Sequence, residues 1–372
     1  MLSCCYTFNL HNMLKHLPAV IMLFAVITII PACSRPEPVA DDEAKTLVAS
    51  LEKSMRNENP DVLYDLFDKE LLKENIKSEN KDVSSAEINA TITTITIKQF
   101  CDQVMAGCKN GSYKLLRMYD DNGKKHLLFR MFGDGGINYH DYSVVKINGQ
   151  VKADDMYSYI SGEKISKTFS DLLAANSSSN GGLASEESQK FVRLTEYKNK
   201  GEYAEEIALF KTFDTTLQNT KAMQLLYIEA SKHISNDDYK NALEKFAARY
   251  PNAPNAYLLM LDAYFLNKDF DKALVAVNKL DSLVKGDPVL NLFRGNIYKE
   301  LGKVEESRQS FEKCFAFDPY IKNNMQELVV AYVTANELDK AKAVIEKYKQ
   351  NPRFEDADIN VLYNLYPQLG AK

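Results

Sequence analysis

The sequence predicts two domains: an N-terminal α+β layer of helices on an antiparallel sheet, then an all-α solenoid of stacked helical hairpins. Three observations carry this expectation. Tyr264, Tyr298 and Tyr332 stand 34 residues apart, and Ala273, Ser307 and Ala341 keep the same interval, as do Phe270, Val304 and Leu338. Unrelated positions sharing one period mark a structural repeat. The run "NSSSNGG" at 176–182 separates two different patterns, and ahead of it helical spacing gives way after Gly111 to alternating runs with Asn-Gly bends. The chain has 372 residues, 45% hydrophobic and 26% charged, with a formal charge of −5. Such a composition is globular, and its acidic balance argues against nucleic acid as a partner.

At the N-terminus, residues 17–30 ("LPAVIMLFAVITII") form an unbroken apolar run, shorter than the ~20 residues a membrane span needs. It follows Lys15 and His16 and ends in Pro31-Ala32-Cys33, so it reads as a secretory leader with Met13 as its expected start. The string Ile30-Pro31-Ala32-Cys33 resembles the lipobox of bacterial lipoproteins, with proline as a departure at the second position. That resemblance implies a signal peptide over 1–32 and an acylated mature N-terminus at Cys33. Several acyl chains, at ~0.8 kcal/mol per buried CH₂, hold a protein firmly to a bilayer. Residues 33–41, Pro-containing and polar, read as a tether. Ser34 stands where many lipoproteins kept at the inner membrane have Asp, which places the protein in the cell envelope, at the outer membrane.

Residues 42–175 form the α+β domain. "EAKTLVASLEKSMRN" and "NPDVLYDLFDKELL" show helical spacing, and "SAEINATITTITIKQFCDQVMAG" is expected to be one further helix. "YKLLRMYDDNGKKHLLFRMF" and "YSVVKINGQVKADDMY" are hairpins turning at Asn122-Gly123 and Asn148-Gly149, giving a four-strand meander that buries Leu127, Phe129 and Met131 under a helix. Cys101, Cys108 and Cys314 are expected to be small core residues. Helices followed by this meander resemble the nuclear transport factor 2-like (cystatin-like) cone, and "KADDMYSYISGEKIS" resembles the segment after its last strand. Relatives with that cone include isomerases and dehydratases using Asp or His in the cone mouth. The resemblance points to His140, Asp141, Asp154 and Asp155, beside Tyr139 and Tyr142, as the alternative site. Adjacent Asp154 and Asp155 in a strand are expected to face opposite ways.

After a linker at 176–187, residues 188–372 hold the repeats and a closing helix over 356–369. Gly295, Tyr298, Gly302, Ser307, Phe311 and Pro319 fit one register, with Asn291 and Arg294 in place of the motif's Trp and Leu. This pattern resembles the tetratricopeptide repeat. Weaker copies carry Tyr239, Ala242 and Phe246, and Tyr197, Gly201, Tyr203 and Phe210, giving about five repeats over 188–352 with one shortened hairpin. The resemblance implies a groove lined by Asn255, Asp262, Asn296, Lys299, Asn323 and Gln326, polar groups suited to a peptide. No paired histidines at metal spacing, phosphate loop or nucleophile elbow appears. The expected function is therefore non-enzymatic binding of a protein or peptide by a lipid-anchored protein, with no cofactor, metal or nucleic acid. Small-molecule binding or isomerase-type chemistry in the cone is the alternative.

Overall fold

The computed structural model describes residues 36–133, 136–178, 186–250 and 256–370. The leader, Cys33 and the groove candidate Asn255 lie outside the described residues. The chain meets the fold within the expected tether. Glu37 exchanges backbone hydrogen bonds with Lys146 (2.9 Å each way), and Val39 is buried. Helix α1 (Asp41–Arg56) follows, with acids in its first turn and bases in its last, as the helix dipole favours.

Helices α2 (Asp61–Tyr64) and α3 (Lys69–Glu79) come next; Asp68 caps α3 by accepting from the Glu70 and Leu71 amides. The single helix expected over 85–107 is divided into α4 (Ser85–Thr91) and α5 (Thr94–Gly107). Thr93 is extended, and its side chain accepts from the Thr96 amide at 3.1 Å, so it caps a new helix. The threonines that weaken a continuous helix are good caps.

Strands β1 (Ser112–Asp121), β2 (Lys124–Gly133), β3 (Gly136–Ile147), β4 (Gln150–Ser158) and the two-residue β5 (Glu163–Lys164) form an antiparallel meander in chain order. Positive φ at Asn122 and Gly123 (49° and 77°) and at Asn148 and Gly149 (52° and 77°) closes both tight hairpins. The helix-bearing face of the sheet buries Leu127, Phe129 and Met131 with Tyr142 and Val144 against Leu51, Leu63, Leu72, Ile76 and Cys101. Cys101, Cys108 and Cys314 are buried and free, and burial pushes each thiol up to about 12.

Helix α6 (Ile165–Ser178) runs past the expected boundary and joins the two regions: Leu173 belongs to the core beneath the sheet, while Ala175 packs with Leu194, Phe210 and Leu217 of the helical half. That half consists of α7 (Glu186–Lys200) with α8 (Tyr203–Phe210), the short α9 (Thr215–Gln218), α10 (Lys221–Lys232) with α11 (Asn236–Arg249), α12 (Ala256–Leu266) with α13 (Phe270–Val284), α14 (Leu290–Glu300) with α15 (Val304–Phe317), and α16 (Lys322–Thr334) with α17 (Leu338–Tyr348). α18 (Ala357–Leu365) covers the last hairpin through Ile359 and Leu362.

The 34-residue period is also a backbone period. Lys268, Gly302 and Asn336 are left-handed (φ 59°, 72° and 59°), and the next amide, of Asp269, Lys303 or Glu337, donates back to the carbonyl of Tyr264, Tyr298 or Tyr332 at 2.8–2.9 Å. Gly201 (φ 74°) and the Glu202 amide repeat this closure on Tyr197. Lysine is strained in that conformation. Lys268→Gly is therefore expected to stabilise the protein by about 0.5–1 kcal/mol, read as a raised midpoint in urea unfolding. A lowered midpoint would contradict this account of the turn.

The second face of the sheet packs on the helical half. Leu128, Ile137 and Tyr139 share a core with Leu258, Leu261, Val277, Leu280 and Leu290. Arg130 and Asp287, both fully buried, form an ion pair at 2.7 Å. The Tyr139 hydroxyl donates to the other Asp287 carboxylate oxygen at 2.9 Å. The Arg130 guanidinium also lies 5.6 Å from the Phe317 ring. Arg353, beyond α17, donates to the carbonyls of Arg56 and Gly111. Asp287, Phe317 and Arg353 all lie in segments joining one hairpin to the next, so the N-terminal region braces that edge of the array.

Candidate functional site

The repeat-defining residues explain their own spacing. A Cβ on Gly295 would sit 2.3–2.8 Å from the Phe311 ring, so the ring rests directly on the glycine backbone. Ser307, on the facing helix, donates to the Gly295 carbonyl at 2.8 Å. Ala273 and Ala341, at the position of Ser307 in their hairpins, are fully buried. Tyr332 is buried, and its hydroxyl donates to Glu312 at 2.7 Å. Tyr264 and Tyr298 are half-buried, and Pro319 follows the end of α15.

The groove candidates divide into engaged and available groups. Asp262 is exposed on α12 and accepts the Tyr239 hydroxyl at 2.7 Å. Lys299, also exposed, lies 2.7 Å from both oxygens of Glu327 on the next hairpin. Gln326 donates to the Asp358 carbonyl of α18 at 2.9 Å, which ties its amide to the end cap. Asn296 is half-buried and Asn323 exposed, and neither makes a side-chain hydrogen bond among the described residues. Tyr239 and Glu327 join this surface without having been singled out in sequence. Their signal was available only through the repeat register, which brings neighbouring hairpins side by side.

The alternative site is closed. His140 is buried between helices and sheet. Asn138 accepts the Tyr139 and Ile160 amides through Oδ1, so its Nδ2 donates to His140 Nε2 at 3.0 Å. His140 Nδ1–H then donates to the Tyr113 hydroxyl (3.0 Å), which donates to Tyr142 (2.7 Å). The imidazole is neutral and enclosed, and burial lowers its pKa to about 4. An unfolded histidine titrates near 6.5, so the unfolded chain gains a proton before the folded one as pH falls. Stability is expected to drop by about 3 kcal/mol from this group between pH 6.5 and 4, with no cost above 6.5. The difference between wild type and His140→Gln in urea unfolding across that range isolates it; parallel curves would contradict the neutral, enclosed histidine.

The strict alternation expected at Asp154 and Asp155 is broken by a bulge opposite Ser143 and Val144. Both acids are buried and matched. Asp154 accepts from Ser143 and pairs with Lys124, whereas Asp155 accepts the amide and hydroxyl of Ser166 at the start of α6. Burial raises the Asp155 pKa despite those bonds. Asp141 stands on the other face of the sheet from His140 and pairs with His126 Nδ1 at 3.1 Å, not with His140. An open cleft of about 440 Å³ lies elsewhere, between α6, α9, the start of α10 and Tyr250, and neither His140 nor Asp154 lines it. Among the described residues there is no group of three metal-ligating side chains, and no helix is long and apolar enough to cross a membrane.

A family model described as a tetratricopeptide repeat matches residues 290–320, the stretch that contains the Gly295–Ser307–Phe311 contact. The chain contains tetratricopeptide repeats. "TPR repeat-containing protein YpiA" of Bacillus subtilis (strain 168) is 25% identical over 123 residues, 32% of this chain and 28% of that protein. The match thus spans little more than a quarter of that relative. Among solved structures, a thermophilic tetratricopeptide-repeat protein of Thermus thermophilus, TTC0263, is 19% identical, with 48% of this chain and 97% of that one covered and a TM-score of 0.35. MamA (41-end) from Desulfovibrio magneticus RS-1 is 15% identical, covering 45% and 96%, with a TM-score of 0.37.

Proposed function

We propose that this is a non-enzymatic, lipid-anchored protein of the bacterial cell envelope that binds a protein or peptide across the helical face of its repeats. The supporting observation is where the molecule spends its polar groups. Beneath the sheet, packed hydrocarbon and an enclosed hydrogen-bond chain fill the space a substrate would need. On the repeats, Asp262, Asn296, Lys299 and Asn323 stand at corresponding helical faces with polar atoms in reach of a partner. Tetratricopeptide repeats in general are protein-interaction scaffolds. In this reading the N-terminal layer is a nuclear transport factor 2-like cone whose interior is closed, and its role is to brace the array.

The lipobox supports acylation of Cys33, and Ser34 after it supports the outer membrane as the destination. Four residues separate Cys33 from Glu37, at most ~14 Å of extended chain, so acylation would keep the body close to the bilayer surface. Labelling cells with a radiolabelled fatty acid tests the anchor. Label is expected on wild type and lost in Cys33→Ala, and equal labelling of both would overturn it. For the binding face, full-length protein in detergent is compared with the triple variant Asn296→Ala, Lys299→Ala, Asn323→Ala in pull-downs from solubilised envelopes. A specific protein retained by wild type and lost by the variant is expected. Identical retention, or none across several salt concentrations, counts against the groove.

A further inference from the structure

Arg117 is placed by a bulge. The register of β1 on β2 slips between Leu115 and Arg117, setting Arg117 opposite Leu128 on the face away from the buried helices. Its guanidinium carbon lies 4.1 Å from the Tyr119 ring. Tyr119 stacks in turn on His126 (5.0 Å, 25°). Asp141 fixes this stack from below, accepting from the Tyr119 hydroxyl and pairing with His126 Nδ1 at 3.1 Å. Tyr157, in register with Asp141 on β4, meets Tyr159 edge-on at 5.3 Å, which extends the aromatic surface on the same side.

Within this ordered setting Arg117 forms no ion pair among the described residues, and its Nε is buried without a hydrogen-bond partner. The large cleft differs in this respect, because Lys221 there is already paired with Glu163 and Lys167 with Asp171. A guanidinium held flat on an aromatic ring presents a fixed fork of donors, which suits a carboxylate or phosphate bidentately. We infer that Arg117, with the Tyr119–His126 stack and the Tyr157–Tyr159 edge, is a binding site for an oxyanion carried on a flat group. The guanidinium takes the anion and the rings take the flat part. Asp141 orients the stack; its charge is engaged by Tyr119 and His126.

Saturation-transfer NMR on the full-length protein tests this, with benzoate and phenyl phosphate as probes and benzyl alcohol as the neutral control. Transfer to at least one anion is expected to exceed that to benzyl alcohol several-fold in wild type. It is expected to fall at least five-fold in Arg117→Gln and about two-fold in Arg117→Lys, which keeps charge but loses the fork. Response to benzoate alone assigns a carboxylate ligand, to phenyl phosphate alone a phosphate ligand, and to both a general oxyanion site. Anion signals no larger than that of benzyl alcohol in wild type, or unchanged in Arg117→Gln with its fold intact by circular dichroism, overturn the site. If Arg117→Gln does not fold, the wild-type comparison and Arg117→Lys decide it.

Discussion

Arg130→Ala is expected to destabilise the protein by about 3–5 kcal/mol, because it leaves the Asp287 carboxylate buried without its counter-charge. Both side chains are fully enclosed. Asp287 also accepts the Tyr139 hydroxyl and the Val289 amide, so the orphaned charge lies at the start of α14, where the sheet meets the array. Combining Arg130→Met with Asp287→Asn removes both charges and keeps an acceptor for those two donors. That pair is expected to recover more than half of the loss. Urea unfolding of the four proteins gives the coupling directly. A cost below about 1 kcal/mol for Arg130→Ala would mean that this joint does not hold the two regions together.

The second large effect is expected inside a repeat. Phe311→Ala should cost about 3–5 kcal/mol, since it empties a fully buried ring site shared by α14 and α15. Gly295→Ala should cost about 1–3 kcal/mol by the opposite route, overpacking against the ring edge 2.3 Å away. Because the two act on one contact, they should not add. Gly295→Ala placed in Phe311→Leu is expected to cost less than in wild type, as the smaller side chain makes room for the new methyl. Additive costs would show that the glycine serves some purpose other than admitting Phe311.

The repeats were legible because their physics is local. One period places a small residue, an aromatic and a turn in each hairpin, and the left-handed closure at Lys268, Gly302 and Asn336 follows the same count. The hairpins of the sheet were legible for a similar reason, since Asn-Gly supplies the positive φ a two-residue turn needs. What sequence did not disclose depends on distant pairing. Arg130 and Asp287 are 157 residues apart and each reads as an ordinary surface charge. His140 and Asp141 are neighbours in sequence, yet strand alternation puts them on opposite faces, and the β2–β3 register gives Asp141 to His126. The threonine-rich centre of the expected long helix hid a cap at Thr93, because threonine disfavours helix interiors and favours their starts. Gln326 looked like a groove residue until α18 was seen to take its amide.

Scanning calorimetry of the full-length protein tests most directly whether sheet and repeats form one body. A single cooperative transition is predicted, with calorimetric and van't Hoff enthalpies in agreement, and with Arg130→Ala moving the whole transition to lower temperature. Two separate transitions in the wild type, only one of them shifted by Arg130→Ala, would contradict the account.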